Sequence, residues 1–243
     1  MDDKHQLALA TDTLLEDGAK YRRLVGKLIY LTLTRLDISY SVHILSQFMQ
    51  KPTTTQWEAA LRVVRYLKGH PGQGVVFRAD SALKLEAYCD AAYASCPITR
   101  RSITAYFVCL GGSPISWKTK KQAIVSLSST EAEYRAMTAA TCEILWLTGL
   151  LAGIGIHFPE PVRLHCDNQS AMHIANNPVY HERTKHIEID CHFIRTHIRN
   201  GVVLPCYIHT QSQLADILTK ALGRPQFKAL LDKLGISDSH APT

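Results

Sequence analysis

Two short runs of the sequence share a pattern that restricts the folds open to the chain. Residues 85–90 read LEAYCD and residues 163–167 read RLHCD, and in each run apolar residues alternate before an aspartate closes it. Because successive side chains of a strand point to opposite faces, each aspartate is expected at a strand's carboxyl end, opposite the apolar set. If the strands are parallel neighbours, Asp90 and Asp167 lie side by side, where open α/β sheets place their chemistry.

Paired carboxylates of this kind predict a site for a divalent metal ion. Two close negative charges repel each other unless a cation lies between them. Carboxylate oxygens suit a hard ion such as Mg²⁺. Taken singly, either aspartate can instead be a turn residue or a helix cap, and Asp167 directly precedes the helical pattern NQSAMHIANN. The metal hypothesis therefore depends on the two aspartates meeting in the fold.

The order of predicted elements indicates a mixed α/β domain. After Gly74 come the extended runs VVFRA, LKLEAYCD, SITAYFVCLGG and PISWKTKKQ, followed by a long helix from Ser129 to Leu151. A strand, helices, a strand (VVLPCYIHT) and a helix (QSQLADILTKALG) complete the series, which is typical of a sheet flanked by helices. In the preceding region the pattern is helical from Tyr21 to Lys68. We predict a flexible lead-in over 1–19, a small helical segment over 20–74, the α/β domain over 75–223, and a C-terminal helix and tail over 224–243.

The run STEAEYRAM (129–137) places two glutamates at the start of the long helix. Helical projection puts Glu133 at the N-terminal end of the apolar stripe, so it is expected to point towards the sheet and the aspartates. A carboxylate on the buried side needs a partner, and a shared metal ion would supply one. The alternative is that Glu133 completes a capping box with Thr130.

The other glutamate, Glu131, falls on a more polar face of the projected helix and is expected to point outward. It can close a capping box with Ser128 and pair with Arg135 four residues later. Near the other end of the chain, Asp216 lies off the apolar side of its predicted helix. From the pattern alone, a pair with Lys220 is the favoured interpretation for Asp216.

Composition narrows the class of protein and its surroundings. Seven scattered cysteines, an odd number without a Cys-x-x-Cys pair, indicate a reducing compartment rather than a disulfide framework. The N-terminal residues lack the basic-then-apolar layout of a secretory signal, so we expect a cytoplasmic or nuclear protein. The net charge of +6 permits a polyanionic partner. Arg62, Arg65 and Lys68 share one predicted helix face, which is either solvated or in contact with a nucleic-acid backbone.

Long motifs of the chain resemble a known family. YCDAAYASCPITRRSITAYFVCLGGSPISWKTKKQAIVSLSSTEAEYRAM, LHCDNQSAMHIANNPVYHERTKHIEIDCHFIR and QLADILTKAL together resemble the ribonuclease H domain of a copia-type LTR retrotransposon Pol polyprotein. The upstream run from Tyr21 to Phe77 resembles the segment that joins the reverse transcriptase to that domain. The likeness covers roughly residues 20–223 and follows the family's motif order.

The resemblance implies a fold and an activity. The expected fold is a ribonuclease H-like mixed five-stranded sheet flanked by helices, preceded by a small helical subdomain. The implied site is an acidic quartet that holds two Mg²⁺ ions, for which Mn²⁺ can substitute. The quartet maps onto Asp90, Glu133, Asp167 and Asp216, with Asp216 assigned by the resemblance only. The implied reaction is hydrolysis of the RNA strand of an RNA–DNA hybrid, giving 5′-phosphate and 3′-hydroxyl ends.

The resemblance also implies partners and peripheral residues. RNA–DNA hybrid is the implied substrate, and reverse transcriptase or other Pol products are implied protein partners. Lys185 and His186 are candidate contacts to the substrate backbone, with a merely basic helix surface as the alternative. His209, seven residues before Asp216, is the candidate for a histidine that assists product release. The chain departs from the family where Ala92 and Tyr93 replace its usual Asp-Trp, which leaves the quartet intact.

Two other classes of function compete with an active nuclease. A catalytically weak or inactive, host-recruited module would bind nucleic acid or a protein partner, and the loss of a quartet residue would have favoured it. A transposase or integrase of related fold would use two aspartates and a late glutamate. Here the late acidic residue is Asp216 and the glutamate lies on the first long helix, which disfavours that class.

Overall fold

A computed structural model describes residues 7–9, 12–77, 79–177 and 187–238 of the chain. Its helices and strands follow one another as α1 (Gly18–Leu31), α2 (Ser39–Ser46), α3 (Thr54–Gly69), β1 (Gln73–Val75), β2 (Leu85–Ala92), β3 (Ile103–Leu110), β4 (Ser113–Lys121), α4 (Ser129–Gly153), β5 (Val162–Cys166), α5 (Gln169–Asn176), α6 (Glu188–Arg199), β6 (Val203–Tyr207), α7 (Asp216–Thr219), α8 (Arg224–Lys233) and β7 (Ile236–Asp238). The chain divides into two compact units, Met1–Phe77 with Lys220–Thr243, and Arg78–Thr219.

The first unit contains the helices predicted ahead of the α/β domain. α1 begins after Asp17, whose carboxylate accepts hydrogen bonds from the first helical amides, and it buries Tyr21 and Val25. The Tyr21 hydroxyl donates to the Leu45 carbonyl at 2.8 Å, which joins α1 to α2. α3 begins with a capping box formed by Thr53 and Gln56. These helices lie where the small helical segment was predicted, and its bounds as a domain stay a prediction.

Two details of the first unit differ from the sequence-based expectations. Within the predicted lead-in, Leu7 is buried and its carbonyl accepts a hydrogen bond from Gln56 Nε2 at 2.9 Å. The predicted strand VVFRA is wrong in position, because β1 ends at Val75 and pairs antiparallel with β7 rather than joining a larger sheet. The partner strand comes from the far end of the chain, and local pattern carries no information on such a pairing.

The second unit is built on a mixed sheet of five strands in the order β4-β3-β2-β5-β6. β2 and β4 each pair antiparallel with β3. β5 pairs parallel with both β2 and β6. The predicted mixed five-stranded sheet flanked by helices is confirmed, and so is the expectation that LEAYCD and RLHCD are parallel neighbours.

The long helix α4 forms the centre of this unit's hydrophobic core. The stripe predicted by projection is buried: Met137, Ala140 and Ile144 are fully buried and join the core residues of β2 and β5. By length and composition alone α4 would also suit a membrane span. Its packing on the sheet identifies it as the core helix of a globular domain, and its N-terminus is brought to the ends of β2 and β5.

Candidate active site

Two aspartates on neighbouring parallel strands define one side of the candidate site. β2 and β5 are paired through Tyr88 and His165, so the same register two residues later brings Asp90 and Asp167 to adjacent positions. Asp167 directly follows β5, as predicted. The expectation that Asp90 ends its strand is wrong, because β2 continues to Ala92 through its antiparallel pairing with β3. Asp90 is consequently 1% exposed, whereas Asp167 is half-buried.

The first turns of α4 bring Glu133 to the same place. The side chain of Ser128 caps the helix by accepting a hydrogen bond from the Glu131 amide. Glu133 therefore needs no capping role, and its Oε1 accepts a hydrogen bond from the Ala91 amide at 3.1 Å. Its Oε2 lies 3.9 Å from Cys166 Sγ. The prediction that Glu133 points towards the sheet is confirmed.

Glu131 behaves only in part as the helical projection predicts. The predicted pair with Arg135 is confirmed, with the guanidinium Nη2 3.0 Å from Glu131 Oε1. The expectation that Glu131 points outward is wrong, since the residue is 2% exposed. Its Oε2 accepts a hydrogen bond from the Leu127 amide at 2.7 Å, so the side chain turns back over the preceding loop. A helical projection ends at the first helical residue and misses the loop that covers this face.

Asp216 lies on a short helix rather than on the long one predicted. QSQLADILTKALG forms a 3-10 turn at Thr210–Ser212 and then α7, of which Asp216 is the first residue. Asp216 is 2% exposed. The Thr219 hydroxyl, at the end of α7, donates to Asp90 Oδ2, so the helix that carries Asp216 contacts the β2 aspartate directly. The functional role that the resemblance gives to Asp216 stays a prediction.

The electrostatics of the cluster favour a bound cation. Burial raises the pKa of Glu133 well above its usual range, and the negative charges of Asp90 and Asp167 raise it further. Without a counter-charge the ionised form of Glu133 is disfavoured. Ligand atoms of Glu133, Cys166 and Asp167 all lie within 4.8 Å of one another. The residues present therefore fit a divalent ion, with oxygen donors predominating.

Cys166 is a potential ligand that the sequence reasoning did not select. In the sequence it is one of the alternating apolar residues that define the strand before Asp167. The structure gives its sulfur a polar neighbourhood, since the Asn168 amide donates to Sγ at 3.5 Å. The signal in the sequence that could have identified Cys166 is its position next to Asp167, a predicted metal ligand.

Of the three candidate residues for contact with nucleic acid, the structure describes His209. His209 is exposed and its Nδ1 accepts a hydrogen bond from the Gln211 amide at 3.3 Å. The adjacent Thr210 hydroxyl donates to Asp167 Oδ2 at 2.8 Å, so His209 stands beside the cluster. Lys185 and His186 lie outside the described residues.

Comparison with known proteins gives sequence relatives across most of the chain, although no protein-family model matches it. The chain is 44% identical over 232 residues, 96% of its length, to the retrovirus-related Pol polyprotein from transposon RE1 of Arabidopsis thaliana. It is 37% identical over 217 residues, 89% of its length, to the Pol polyprotein from transposon TNT 1-94 of Nicotiana tabacum. In each case the chain spans 16% of the relative.

A likeness to solved structures is weaker. LC11-RNase H1, solved in complex with an RNA/DNA hybrid, is 14% identical with a TM-score of 0.42, and the match covers 56% of this chain and 94% of that one. The sequence relatives define the class: the chain is similar to a segment of retrotransposon Pol polyproteins. More particularly, these relatives, at 37% to 44% identity, are retrovirus-related Pol polyproteins of copia-type transposons, and the predicted resemblance is confirmed.

Proposed function

We propose that the chain is a metal-dependent endoribonuclease that hydrolyses the RNA strand of RNA–DNA hybrids. The observation that carries the proposal is the convergence of carboxylates from β2, α4 and β5 at one end of the sheet. Asp90 and Asp167 occupy adjacent strand positions, and the pKa of Glu133 is raised first by burial and then by these two negative charges. Clustered acidic groups that compete for ionisation are a physical mark of a functional site.

In the proposed site, Asp90, Glu133, Asp167 and Asp216 hold two divalent metal ions, Mg²⁺ or its substitute Mn²⁺. When bound there, such ions would activate the attacking water and stabilise the departing 3′ oxygen. The protein contributes fixed oxygen donors on rigid elements. Glu133 is oriented by the Ala91 amide, Asp167 by the Thr210 hydroxyl and Asp90 by the Thr219 hydroxyl. Fixed donors lower the reorganisation needed when the substrate binds.

The proposed substrate is an RNA–DNA hybrid recognised by its shape and its 2′-hydroxyl groups rather than by its sequence. The net charge of +6 is consistent with a polyanionic substrate. We assign Lys185, His186 and His209 as candidate contacts to the nucleic acid. The Pol polyprotein relatives support reverse transcriptase, or other products of the same polyprotein, as protein partners.

The proposal is tested with the purified chain and an RNA–DNA hybrid whose RNA strand is labelled. Parallel reactions contain Mg²⁺, Mn²⁺ or EDTA, and an RNA–RNA duplex of the same sequence serves as the control substrate. We expect cleavage of the hybrid alone, dependent on metal, with 5′-phosphate and 3′-hydroxyl ends on the products. Hybrid binding without cleavage in the presence of either metal would contradict the proposed nuclease activity and favour the alternative of a recruited binding module.

A further inference from the structure

One segment touches both strand aspartates of the candidate site. Thr210, in the turn after β6, donates its hydroxyl to Asp167 Oδ2 at 2.8 Å. Thr219, at the end of α7, donates its hydroxyl to Asp90 Oδ2. The two threonines lie nine positions apart in a segment that also carries Asp216. The positions of three acidic residues are thus linked by one stretch of backbone.

The same segment is fixed to β2 between these two contacts. Gln213 is fully buried, and its Nε2 donates to the carbonyl of Cys89 at 2.9 Å. Cys89 is the residue immediately before Asp90, and it lies 124 positions from Gln213 in the sequence. The Gln213 Oε1 accepts the Ala215 amide at 3.2 Å, which fixes the turn leading to Asp216. We call Thr210, Gln213 and Thr219 the clamp.

The geometry points to a positioning role for the clamp threonines in metal binding. A hydroxyl that donates to one carboxylate oxygen restricts rotation of that carboxylate. Such outer hydrogen bonds to metal-binding carboxylates commonly determine metal affinity. Thr219 is 1% exposed, so a water molecule cannot take over its hydrogen bond if the hydroxyl is removed. Thr210 is exposed, so water can take over the hydrogen bond that its hydroxyl donates. Thr219 is therefore the stronger positioning residue of the two.

This inference rests on the proposed function, because it assigns the clamp to the proposed metal site. The test uses the full chain and Mn²⁺ as the probe, with free Mn²⁺ measured by electron paramagnetic resonance. The variants are Thr219→Val, which removes the hydroxyl at nearly constant size, and Thr219→Ser, which keeps it. The matched control is Thr141→Val, because Thr141 is also fully buried but donates to the Met137 carbonyl within α4. Circular dichroism establishes that each variant is folded.

We expect Thr219→Val to weaken Mn²⁺ binding by about 10- to 100-fold. Thr219→Ser should restore most of the affinity, Thr141→Val should leave it unchanged, and Thr210→Val should have a smaller effect than Thr219→Val. A folded Thr219→Val protein with wild-type Mn²⁺ affinity would overturn the inference, as would a wild-type chain that binds no Mn²⁺. Wild-type and variant cleavage of the hybrid are measured in parallel. Hydroxyl-dependent Mn²⁺ binding without cleavage would support the clamp and count against the nuclease instead.

Discussion

Glu133 is the residue at which folding and the proposed function conflict most directly. The residue is 6% exposed, and it faces two other carboxylates near the end of the sheet. Among the described residues its hydrogen-bond partners are neutral groups, the Ala91 amide and the Cys166 thiol, so its charge is poorly compensated in the metal-free chain. Burial and the neighbouring charges together raise its pKa, which means that the folded state binds a proton that the unfolded state releases more readily.

The raised pKa of Glu133 predicts how the stability of the metal-free chain depends on pH. Between the unfolded value near 4.5 and the higher folded value, the native state holds more protons, so the free energy of unfolding falls as pH rises. The variant Glu133→Gln cannot ionise and should lose this dependence, becoming more stable than the wild type at pH 8 in EDTA. Urea unfolding at a series of pH values measures it, with the exposed Glu188→Gln as control. Equal pH dependence in Glu133→Gln and wild type would contradict the prediction.

At the scale of the element, α4 combines a core function with a site function. Its buried stripe packs on the sheet, and Glu133, near its N-terminus, points to the strand ends. We expect Ile144→Ala to reduce the free energy of unfolding by about 2–5 kcal/mol, because it leaves a cavity in the core. Leu150→Ala, on the same helix but at a residue that is 52% exposed, should cost less than about 1 kcal/mol. Urea unfolding compares the two, and equal losses would argue against the described packing of α4.

The strands and helices of the site differ in how far their sequences predict them. The period of two in LEAYCD and RLHCD predicted both strands and the faces of their aspartates, and the helical period predicted the stripe that ends in Glu133. These features depend on local pattern alone. The extent of β2 beyond Asp90 depends instead on its pairing with β3. The segment around Asp216 contacts Cys89 through Gln213 and Asp90 through Thr219, over sequence separations of 124 and 129 residues, and local pattern carries no information on such contacts.

At the scale of the whole molecule, net charge and the placement of lysines bear on the substrate. Lys118 and Lys120 alternate on β4, an edge strand of the five-stranded sheet, and both are exposed. One role of lysines on an edge strand is to prevent strand pairing between molecules, which requires no contact with nucleic acid. If they contact the hybrid backbone instead, the double variant Lys118→Gln/Lys120→Gln should bind more weakly and lower the salt slope of log K by about 2. Fluorescence anisotropy at several salt concentrations measures this, with the exposed Lys51→Gln as control.

The sequence predicts several individual residues of the candidate site, but not how they are assembled. Pattern placed Asp90 and Asp167 at equivalent strand positions and Glu133 on the inward face of α4, but Asp216 entered through the family resemblance alone. Thr219, Gln213 and Cys166 were not selected, because their partners come from distant parts of the chain. A site assembled from several elements is visible in sequence only where each element has its own periodic signal.

The central claim is that this carboxylate cluster cleaves the RNA strand of a hybrid. The most direct measurement compares metal-dependent hybrid cleavage by the wild-type chain, by Asp167→Asn and by Asp80→Asn, an exposed aspartate in the same unit. We expect cleavage by the wild type and Asp80→Asn, and a loss of at least about 100-fold in Asp167→Asn, because that variant would lack a ligand of the proposed metal ions. Equal cleavage by Asp167→Asn and the wild type would contradict it.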